Sequence, residues 1–234
     1  MKPGDVVSAA LKHGSPSIAY TYSEPLVHLE YMLDCMALAR KHGIANVLVT
    51  NGCINKKASM EILGLACAAN IDLKCFSHDT YAKILGGSLE TTLDFIRMAC
   101  TRIHVEITTL LVSGLNDSSS ELNACTDFIA GLETAVPWHL SAYHPDYRWN
   151  APPTNPVFLL NAAKEAQKKL PYVYAGNISQ EENNTACSCC GVILVSRKGY
   201  RTDISGLAPQ QGAASNGEKN YRCVKCGKAA NIVC

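Results

Sequence analysis

Short apolar runs alternate along the first 180 residues with longer stretches whose apolar positions recur at helical spacing. The runs predict strands at 17–22, 46–50, 70–74, 102–112, 138–143 and 172–175. The intervening stretches predict helices at 6–13, 26–42, 55–69, 78–85, 89–100, 117–131 and 157–169. Strands that alternate with helices form a parallel sheet with right-handed crossovers, so the pattern predicts an α/β fold.

Polar residues are predicted to begin several of these helices. Ser77 and Ser88 stand directly before helical stretches and are predicted N-caps. Asn116 or Asp117 is the predicted cap of the helix that runs to residue 131.

Length, composition and charge narrow the class of protein. With 234 residues, the chain is long enough for one barrel-sized domain and a small appendage. Its apolar content of 47% and charged content of 18% fit a globular protein with a buried sheet. The net charge of +1 gives no electrostatic reason to expect nucleic acid or an anionic membrane as a partner. The sequence lacks a membrane-length apolar run and a signal-peptide core, so we expect a cytoplasmic protein.

The cysteines divide the chain into two parts. Six of the twelve crowd into the last fifth, which predicts a main domain at 1–180 and a cysteine-rich domain at 184–234. In a reducing compartment such crowding favours metal over disulfides. The six are Cys187, Cys189, Cys190, Cys223, Cys226 and Cys234.

Two C-x-x-C-G motifs lie in this tail, at 187–191 and 223–227. Each turn can bring two thiolates onto one ion, and two such turns complete a tetrahedral site of Cys187, Cys190, Cys223 and Cys226. Zn²⁺ is the favoured ion, in a structural zinc-ribbon-like domain with a loose loop over 207–220. Rubredoxin-like iron and redox-active thiols stay open, and Cys189 and Cys234 are left unassigned.

Short polar motifs follow the predicted strands of the main domain. In parallel α/β barrels the carboxyl ends of the strands build the active site. Asp72 and Lys74 flank Leu73 and share one strand face, as ligand-facing groups or as a structural ion pair. Glu106 lies inside an apolar run and needs a partner, for which His104 and Lys74 are candidates.

The order of these motifs resembles that of radical S-adenosylmethionine (SAM) enzymes. The sequence is similar to the pyruvate formate-lyase activating enzyme and, more closely, to the radical SAM protein of the AmmeMemoRadiSam system. The matching segments are 17–25 (SIAYTYSEP), 49–52 (VTNG), 70–77 (NIDLKCFS), 81–87, 111–117 (LVSGLND), 137–147 (PWHLSAYHPDY), 152–154, 172–177 and the two tail motifs.

The resemblance implies a partial (β/α) TIM-like barrel with SAM and a [4Fe-4S] cluster at its open end. In this family the reduced cluster cleaves SAM to a 5′-deoxyadenosyl radical, which abstracts hydrogen from a substrate. An electron donor and a protein or small-molecule substrate are implied as partners. By position, Glu24 corresponds to the residue that holds the SAM amino group, Asn51 lies near the ribose, and Asp72, Lys74 and His144 line the SAM site.

One departure from the family bears on activity. The family binds its cluster through C-x-x-x-C-x-x-C, and this sequence contains no such motif. The resemblance begins at the helix before the second family strand, so we expect the first strand and the cluster loop to be missing and Met1 to be an internal methionine. The chain is then an incomplete, inactive radical SAM oxidoreductase, and an exposed edge at 17–22 would make it poorly soluble.

Other functions stay open at this stage. The absent cluster ligands also fit a catalytically inert barrel whose zinc ribbon docks a partner protein. A Schiff-base lyase could use Lys74, with Asp72 or Glu106 as proton-transfer partner. A zinc hydrolase is disfavoured because the evident zinc site is closed by four thiolates. No catalytic residue is assigned.

Overall fold

The computed structural model describes residues 1–132, 135–179, 183–199, 201–209 and 220–233. The chain divides into two compact units, Met1–Val173 and Tyr174–Cys234, and the division falls within the last strand of the main sheet. None of the described helices has the length and apolar character needed to cross a membrane.

A six-stranded sheet forms the framework of the first unit. Its strands follow one another in chain order, and β1 to β5 pair in parallel, which confirms the predicted α/β class. The strands are β1 (Ser17–Tyr20), β2 (Ala45–Thr50), β3 (Ala68–Asp72), β4 (His104–Leu111), β5 (Trp138–Ala142) and β6 (Val173–Gly176).

Helices connect successive strands. Because the strand order follows the chain and crossovers share one hand, the connecting helices lie on one face of the sheet. They are α2 (Leu29–Lys41) after a 3₁₀ turn (Pro25–His28), α3 (Lys56–Leu63), α4 (His78–Thr80) with a π-helical turn (Tyr81–Leu85), α5 (Leu89–Cys100), α6 (Ser119–Ala130) and α7 (Pro156–Ala166). A further helix, α1 (Pro3–Lys12), precedes β1.

The two faces of the sheet differ sharply in burial. Burial alternates along β2, β4 and β5, as expected for strands with one covered side. The covered face carries fully buried side chains such as Leu48, Ile107 and Trp138. The opposite face, here called the open face, carries half-buried residues that include Asp72 and Glu106.

The predicted helix starts are partly confirmed. The Ser77 and Ser88 hydroxyls accept hydrogen bonds from the Thr80 and Thr91 N–H groups. The prediction of Asn116 or Asp117 as a cap is wrong, because Ser118 caps α6. Both side chains are engaged elsewhere: Asn116 contacts neighbouring backbone groups, and Asp117 accepts from the Gly114 N–H.

Several predicted element boundaries are wrong. The helix expected to reach residue 69 ends at Leu63 with Gly64 as its C-cap, and the following chain enters β3 at Ala68. Pairing with β2 explains the early strand, since Ala68 lies opposite Val47. The helix predicted over 26–42 begins only at Leu29, because Pro25 opens a 3₁₀ turn that runs to His28.

The second unit contains two three-stranded antiparallel sheets. One consists of β7 (Thr185–Ala186), β8 (Ile193–Lys198) and β9 (Arg201–Asp203). The other consists of β10 (Leu207–Pro209), β11 (Asn220–Cys223) and β12 (Ala229–Val233). The loose loop predicted over 207–220 is therefore wrong at 207–209 and at 220, and its part at 210–219 lies outside the described residues.

Gly52 offers a test of packing beneath the loop after β2. Its φ is +64°, and an added Cβ would lie 2.8 Å from Cδ1 of Phe95, a fully buried ring. Gly14 has a similar φ of +63° with open space around it. We expect Gly14→Ala to lower the free energy of unfolding by about 1 kcal/mol and Gly52→Ala by about 3 kcal/mol, because overpacking adds to the backbone strain.

Urea unfolding followed by tryptophan fluorescence, which reports on the buried Trp138 and the partly exposed Trp149, would measure both losses. Equal losses in the two variants would contradict the overpacking argument and would mean that the Phe95 ring moves aside without penalty.

Candidate functional site

The predicted site residues of the first unit follow the carboxyl ends of successive strands. Glu24 comes after β1, Asn51 after β2, Lys74 after β3 and His144 after β5, while Asp72 is the last residue of β3. Because parallel strands end at one edge, these residues belong to the same edge of the sheet. This edge is called the carboxyl edge below.

Glu24 and Asn51 are in direct contact. One oxygen of Glu24 accepts hydrogen bonds from the Thr50 hydroxyl at 2.6 Å and the Leu26 N–H at 3.2 Å. The other accepts from the Asn51 N–H at 2.8 Å. The carboxylate thus joins the segment after β1 to the end of β2, and it also caps the 3₁₀ turn.

Asp72 and Lys74 form an ion pair, with Nζ of Lys74 2.5 Å from Oδ2 of Asp72. The two side chains are 30% and 37% exposed, so the pair can be reached by a ligand. The Lys74 N–H donates to the Tyr81 hydroxyl at 3.2 Å, and burial raises the pKa of Tyr81 to about 12. Tyr81 therefore stays a neutral phenol that anchors this loop.

Asn116 ties the loop after β4 to the loop after β3. Its buried side-chain amide donates to the carbonyls of Lys74, at 2.6 Å, and Leu110, at 2.9 Å. Its carbonyl oxygen accepts from the Val112 N–H at 2.8 Å. The sequence motif signalled this residue, but the residue joins two loops rather than beginning a helix.

Thr154 makes the corresponding link between the ends of β4 and β5. Its buried hydroxyl donates to the Leu111 carbonyl and accepts from the Tyr143 N–H at 2.8 Å. His144 is the residue after Tyr143, and its side chain is exposed. Glu24, Asn116 and Thr154 thus connect the ends of β1 with β2, of β3 with β4 and of β4 with β5.

A carboxylate flanked by two imidazoles lies on the open face. Oε2 of Glu106 is 2.7 Å from Nε2 of His139, and Oε1 is 3.5 Å from Nε2 of His104. Hydrogen bonding from His104 and His139 lowers the pKa of Glu106 to about 2. The predicted pairing of Glu106 with His104 is present, whereas Lys74 pairs with Asp72. The pairing of Glu106 with His139 was not predicted from the sequence, because it joins two strands 33 positions apart.

The four tail cysteines expected to bind metal come together. The Sγ atoms of Cys187, Cys190, Cys223 and Cys226 all lie within 4.8 Å of one another. The Cys187–Cys226 and Cys190–Cys223 sulfur pairs are each 3.6 Å apart. Tetrahedral zinc thiolates require sulfur atoms about 3.8 Å apart, so the spacing suits one such ion.

The two C-x-x-C-G turns share one backbone pattern. Gly191 and Gly227 have φ of 71° and 72°, a conformation that favours glycine. Their N–H groups donate to the carbonyls of Cys187 and Cys223, each at 2.9 Å. Hydrogen bonds from the N–H groups of Cys190 and Cys189 lower the pKa of Cys187 to about 6, which favours a metal-binding thiolate.

The two remaining tail cysteines differ in position. Cys189 is exposed, and Cys234 lies outside the described residues. Among the residues that the structure describes, the four tail cysteines are the only group of three or more potential ligands gathered within 4.8 Å.

The amino-acid sequence was compared with protein-family models and with known proteins. No protein-family model matches the chain. The protein MJ0808 of Methanocaldococcus jannaschii, named only as uncharacterized, is 35% identical over 238 residues, an alignment that spans all of this chain and 68% of MJ0808. The chain belongs to the MJ0808 family.

Solved structures relate this member of the MJ0808 family to radical SAM folds. A domain of pyruvate-formate lyase-activating enzyme from Bacteroides vulgatus matches with a TM-score of 0.60 and 20% identity, over 69% of this chain and 99% of that one. A radical SAM methyltransferase from Sphaerobacter thermophilus matches with a TM-score of 0.55 and 12% identity, over 75% of this chain and 57% of that one. The radical SAM relation predicted from the motifs is confirmed as a likeness of fold.

Asn116 gives a direct test of the loop connections. Asn116→Ala leaves the Lys74 carbonyl and the Val112 N–H without their side-chain partner, and we expect the free energy of unfolding to fall by about 3 kcal/mol. Asn123→Ala, on the exposed side of α6, is the matched control, with an expected change within about 0.5 kcal/mol. Urea unfolding measures both, and equal values would show that water replaces the lost contacts.

The tail cysteines predict a defined metal content. We expect elemental analysis of the purified chain to find metal that is lost in Cys223→Ser, because a tetrahedral site with three thiolates binds much more weakly. Cys189→Ser is the control and should keep the metal. Metal retained in Cys223→Ser, or lost in Cys189→Ser, would contradict the assignment of the four ligands.

Proposed function

We propose that the carboxyl edge of the sheet binds S-adenosylmethionine and that the protein has a radical SAM-type function. One observation carries this proposal: charged and amide side chains stand at successive strand ends of a sheet whose fold matches radical SAM domains. Open α/β sheets bind ligands at this edge.

The side chains at the edge suit the groups of SAM chemically. The Asp72 carboxylate can pair with an ammonium group or accept hydrogen bonds from ribose hydroxyls, and Lys74 can pair with a carboxylate. Both are partly exposed, so a ligand can compete for them. We assign Glu24, Asn51, Asp72, Lys74 and His144 to the SAM site.

The residues of this chain do not fit the iron–sulfur cluster that the fold implies. The sequence contains no C-x-x-x-C-x-x-C, and the one compact cysteine group in the described residues lies in the tail. Four thiolates at one tetrahedral position leave no coordination site for SAM. No reaction step of this chain is therefore derived through a cluster.

A narrower assignment within the superfamily follows from the sequence motifs. We infer an activating-enzyme type of radical SAM oxidoreductase, similar to the radical SAM protein of the AmmeMemoRadiSam system. Its hydrogen donor would be a protein or a small molecule, and its reductant a separate electron donor. The pyruvate-formate lyase-activating enzyme among the structural neighbours supports this choice.

In the tail, we infer a structural Zn²⁺ ion in a zinc-ribbon-like domain. Four protein thiolates fill a tetrahedral shell, so the ion would stabilise the fold rather than bind a substrate. The tail core is small and includes Leu194, Val195 and Tyr221, which makes a metal an effective addition to its stability.

Two other functions are weighed against this proposal. The missing cluster motif favours an inert barrel whose tail binds a partner protein. A Schiff-base lyase is less favoured, because Nζ of Lys74 is already hydrogen bonded to Asp72.

Titration calorimetry of the full chain with SAM tests the proposal. We expect saturable binding, weakened about tenfold or more by Asp72→Asn or Lys74→Met, because each removes one charge-assisted hydrogen bond. Glu165→Gln is a control, since Glu165 near the end of α7 is exposed and pairs with Lys168, which lies just beyond that helix.

The outcomes separate the competing functions. No binding of SAM to the wild-type chain would sink the proposal and favour the inert barrel. Binding that both substitutions leave unchanged would place SAM away from Asp72 and Lys74.

A further inference from the structure

Two carboxylates lie on the open face, and they differ in their partners. Asp72 forms an ion pair with Lys74, so these two charges balance. Among the described residues, Glu106 has no ion pair with a lysine or an arginine, and it faces the imidazoles of His104 and His139 instead. An imidazole that donates a hydrogen bond in its neutral form leaves the charge of a carboxylate unbalanced. Glu106 is therefore available as a counter-ion for a cation from outside the chain.

The two oxygens of the Glu106 carboxylate are not engaged to the same extent. Oε2 lies 2.7 Å from Nε2 of His139, a normal hydrogen-bond distance. Oε1 lies 3.5 Å from Nε2 of His104, which is long for a hydrogen bond. Because a carboxylate accepts about four hydrogen bonds, Oε1 has room for another donor. The side chain is 38% exposed, so a small molecule can reach it.

Two more oxygen acceptors adjoin Glu106 on the same face. Asn70 of β3 lies directly opposite Glu106, and Thr108 follows Glu106 by two positions along β4. The Thr108 hydroxyl donates to Oδ1 of Asn70 at 2.8 Å, which shows that these two side chains are in contact. Each of the two oxygens has a lone pair left for a further donor. This part of the open face thus presents neighbouring acceptors and one negative charge.

The part of the open face over β2 is apolar. Val49 lies opposite Asn70, and Val47 lies opposite Ala68. All three apolar side chains are half-buried, so they can bury further surface against a ligand. Strands β2 and β4 are two strand spacings apart, or about 10 Å. A short alkyl chain attached to a group at Glu106 can therefore reach Val49.

We propose that the open face binds a small molecule that carries a primary ammonium group and a short alkyl chain. The ammonium group has three N–H donors and one positive charge, which match the oxygens of Glu106, Asn70 and Thr108. The alkyl chain would lie toward Val49. This molecule would be the hydrogen donor of the reaction, a role that rests on the proposed function and that favours a small-molecule substrate over a protein.

The Asp72–Lys74 pair is a less suitable place for the same ammonium group. Asp72 lies opposite Thr108 and is therefore diagonal to Glu106 on the open face. A cation that approached Asp72 would have to displace the Lys74 ammonium group, which is 2.5 Å from the carboxylate. At Glu106 it meets no resident lysine or arginine.

n-Butylamine is a suitable probe for the full chain, in the absence of SAM and at about pH 8. At this pH the amine is protonated and free imidazole is neutral. We expect saturable shifts of the backbone amide NMR signals of residues 104–108 on titration. n-Butanol has the same size without the charge, and it should bind about tenfold more weakly or less, because it lacks the charge-assisted hydrogen bond.

Substitutions locate the binding site. Glu106→Gln should weaken n-butylamine binding about tenfold or more, because it removes the charge and keeps the shape. Thr108→Val should weaken it about threefold and gives a second test if Glu106→Gln does not fold. Asp94→Asn is the matched control, since Asp94 is an exposed carboxylate on α5 that pairs with Arg97, and it should leave the affinity unchanged. Urea unfolding of each variant shows whether lost binding reflects lost folding.

Three results would overturn the proposal. The first is the absence of saturable shifts at residues 104–108 in the wild-type chain. The second is equal affinity for n-butylamine and n-butanol. The third is binding that Asp72→Asn weakens and Glu106→Gln does not, which would place the amine at the carboxyl edge. Because SAM is absent from these measurements, a chain that binds the amine at Glu106 but fails to bind SAM would support this site and contradict only the proposed function.

Discussion

Three hydrogen-bonded polar side chains at the carboxyl edge, two of them buried and one half-buried, hold the loops of this protein in place, and the candidate site depends on them. Glu24 joins the ends of β1 and β2, Asn116 those of β3 and β4, and Thr154 those of β4 and β5. Each satisfies backbone groups in the partly or fully buried loops, where an unpaired polar group is costly. The edge is thereby preorganised before any ligand arrives.

One face of the sheet carries the buried apolar side chains that stabilise the fold, and the other carries the polar side chains. The covered face buries Leu48, Ile107 and Trp138 beneath the helices, and the indole N–H of Trp138 is satisfied by the Thr109 hydroxyl at 2.9 Å. The open face instead carries the Asp72–Lys74 pair and the Glu106 cluster. Because alternation along a strand assigns residues to faces, the same short runs supply both the core and the polar surface.

Sequence reasoning recovered what depends on local pattern. Strand and helix order follows from periodicity, and the Ser88 cap and the paired glycine-closed cysteine turns follow from short motifs. The sequence-based predictions were wrong where contacts between distant parts of the chain determine the structure. The early start of β3 depends on pairing with β2, and the Asn116 side chain donates a hydrogen bond to Lys74, 42 positions away in the chain. Neither contact can be predicted from the residues next to it in the sequence.

The hydrogen bonds of Glu24 limit how this residue, assigned from its motif to the SAM site, can contact a ligand. A carboxylate offers about four acceptor directions. Three hydrogen bonds already use this one: from the Thr50 hydroxyl, the Asn51 N–H and the Leu26 N–H. A ligand ammonium group would therefore meet a carboxylate already held in place, and its contact would add to the bridge rather than replace it. Loss of Glu24 would disturb the backbone of Asn51 as well as any direct ligand contact, so the two residues act as one unit.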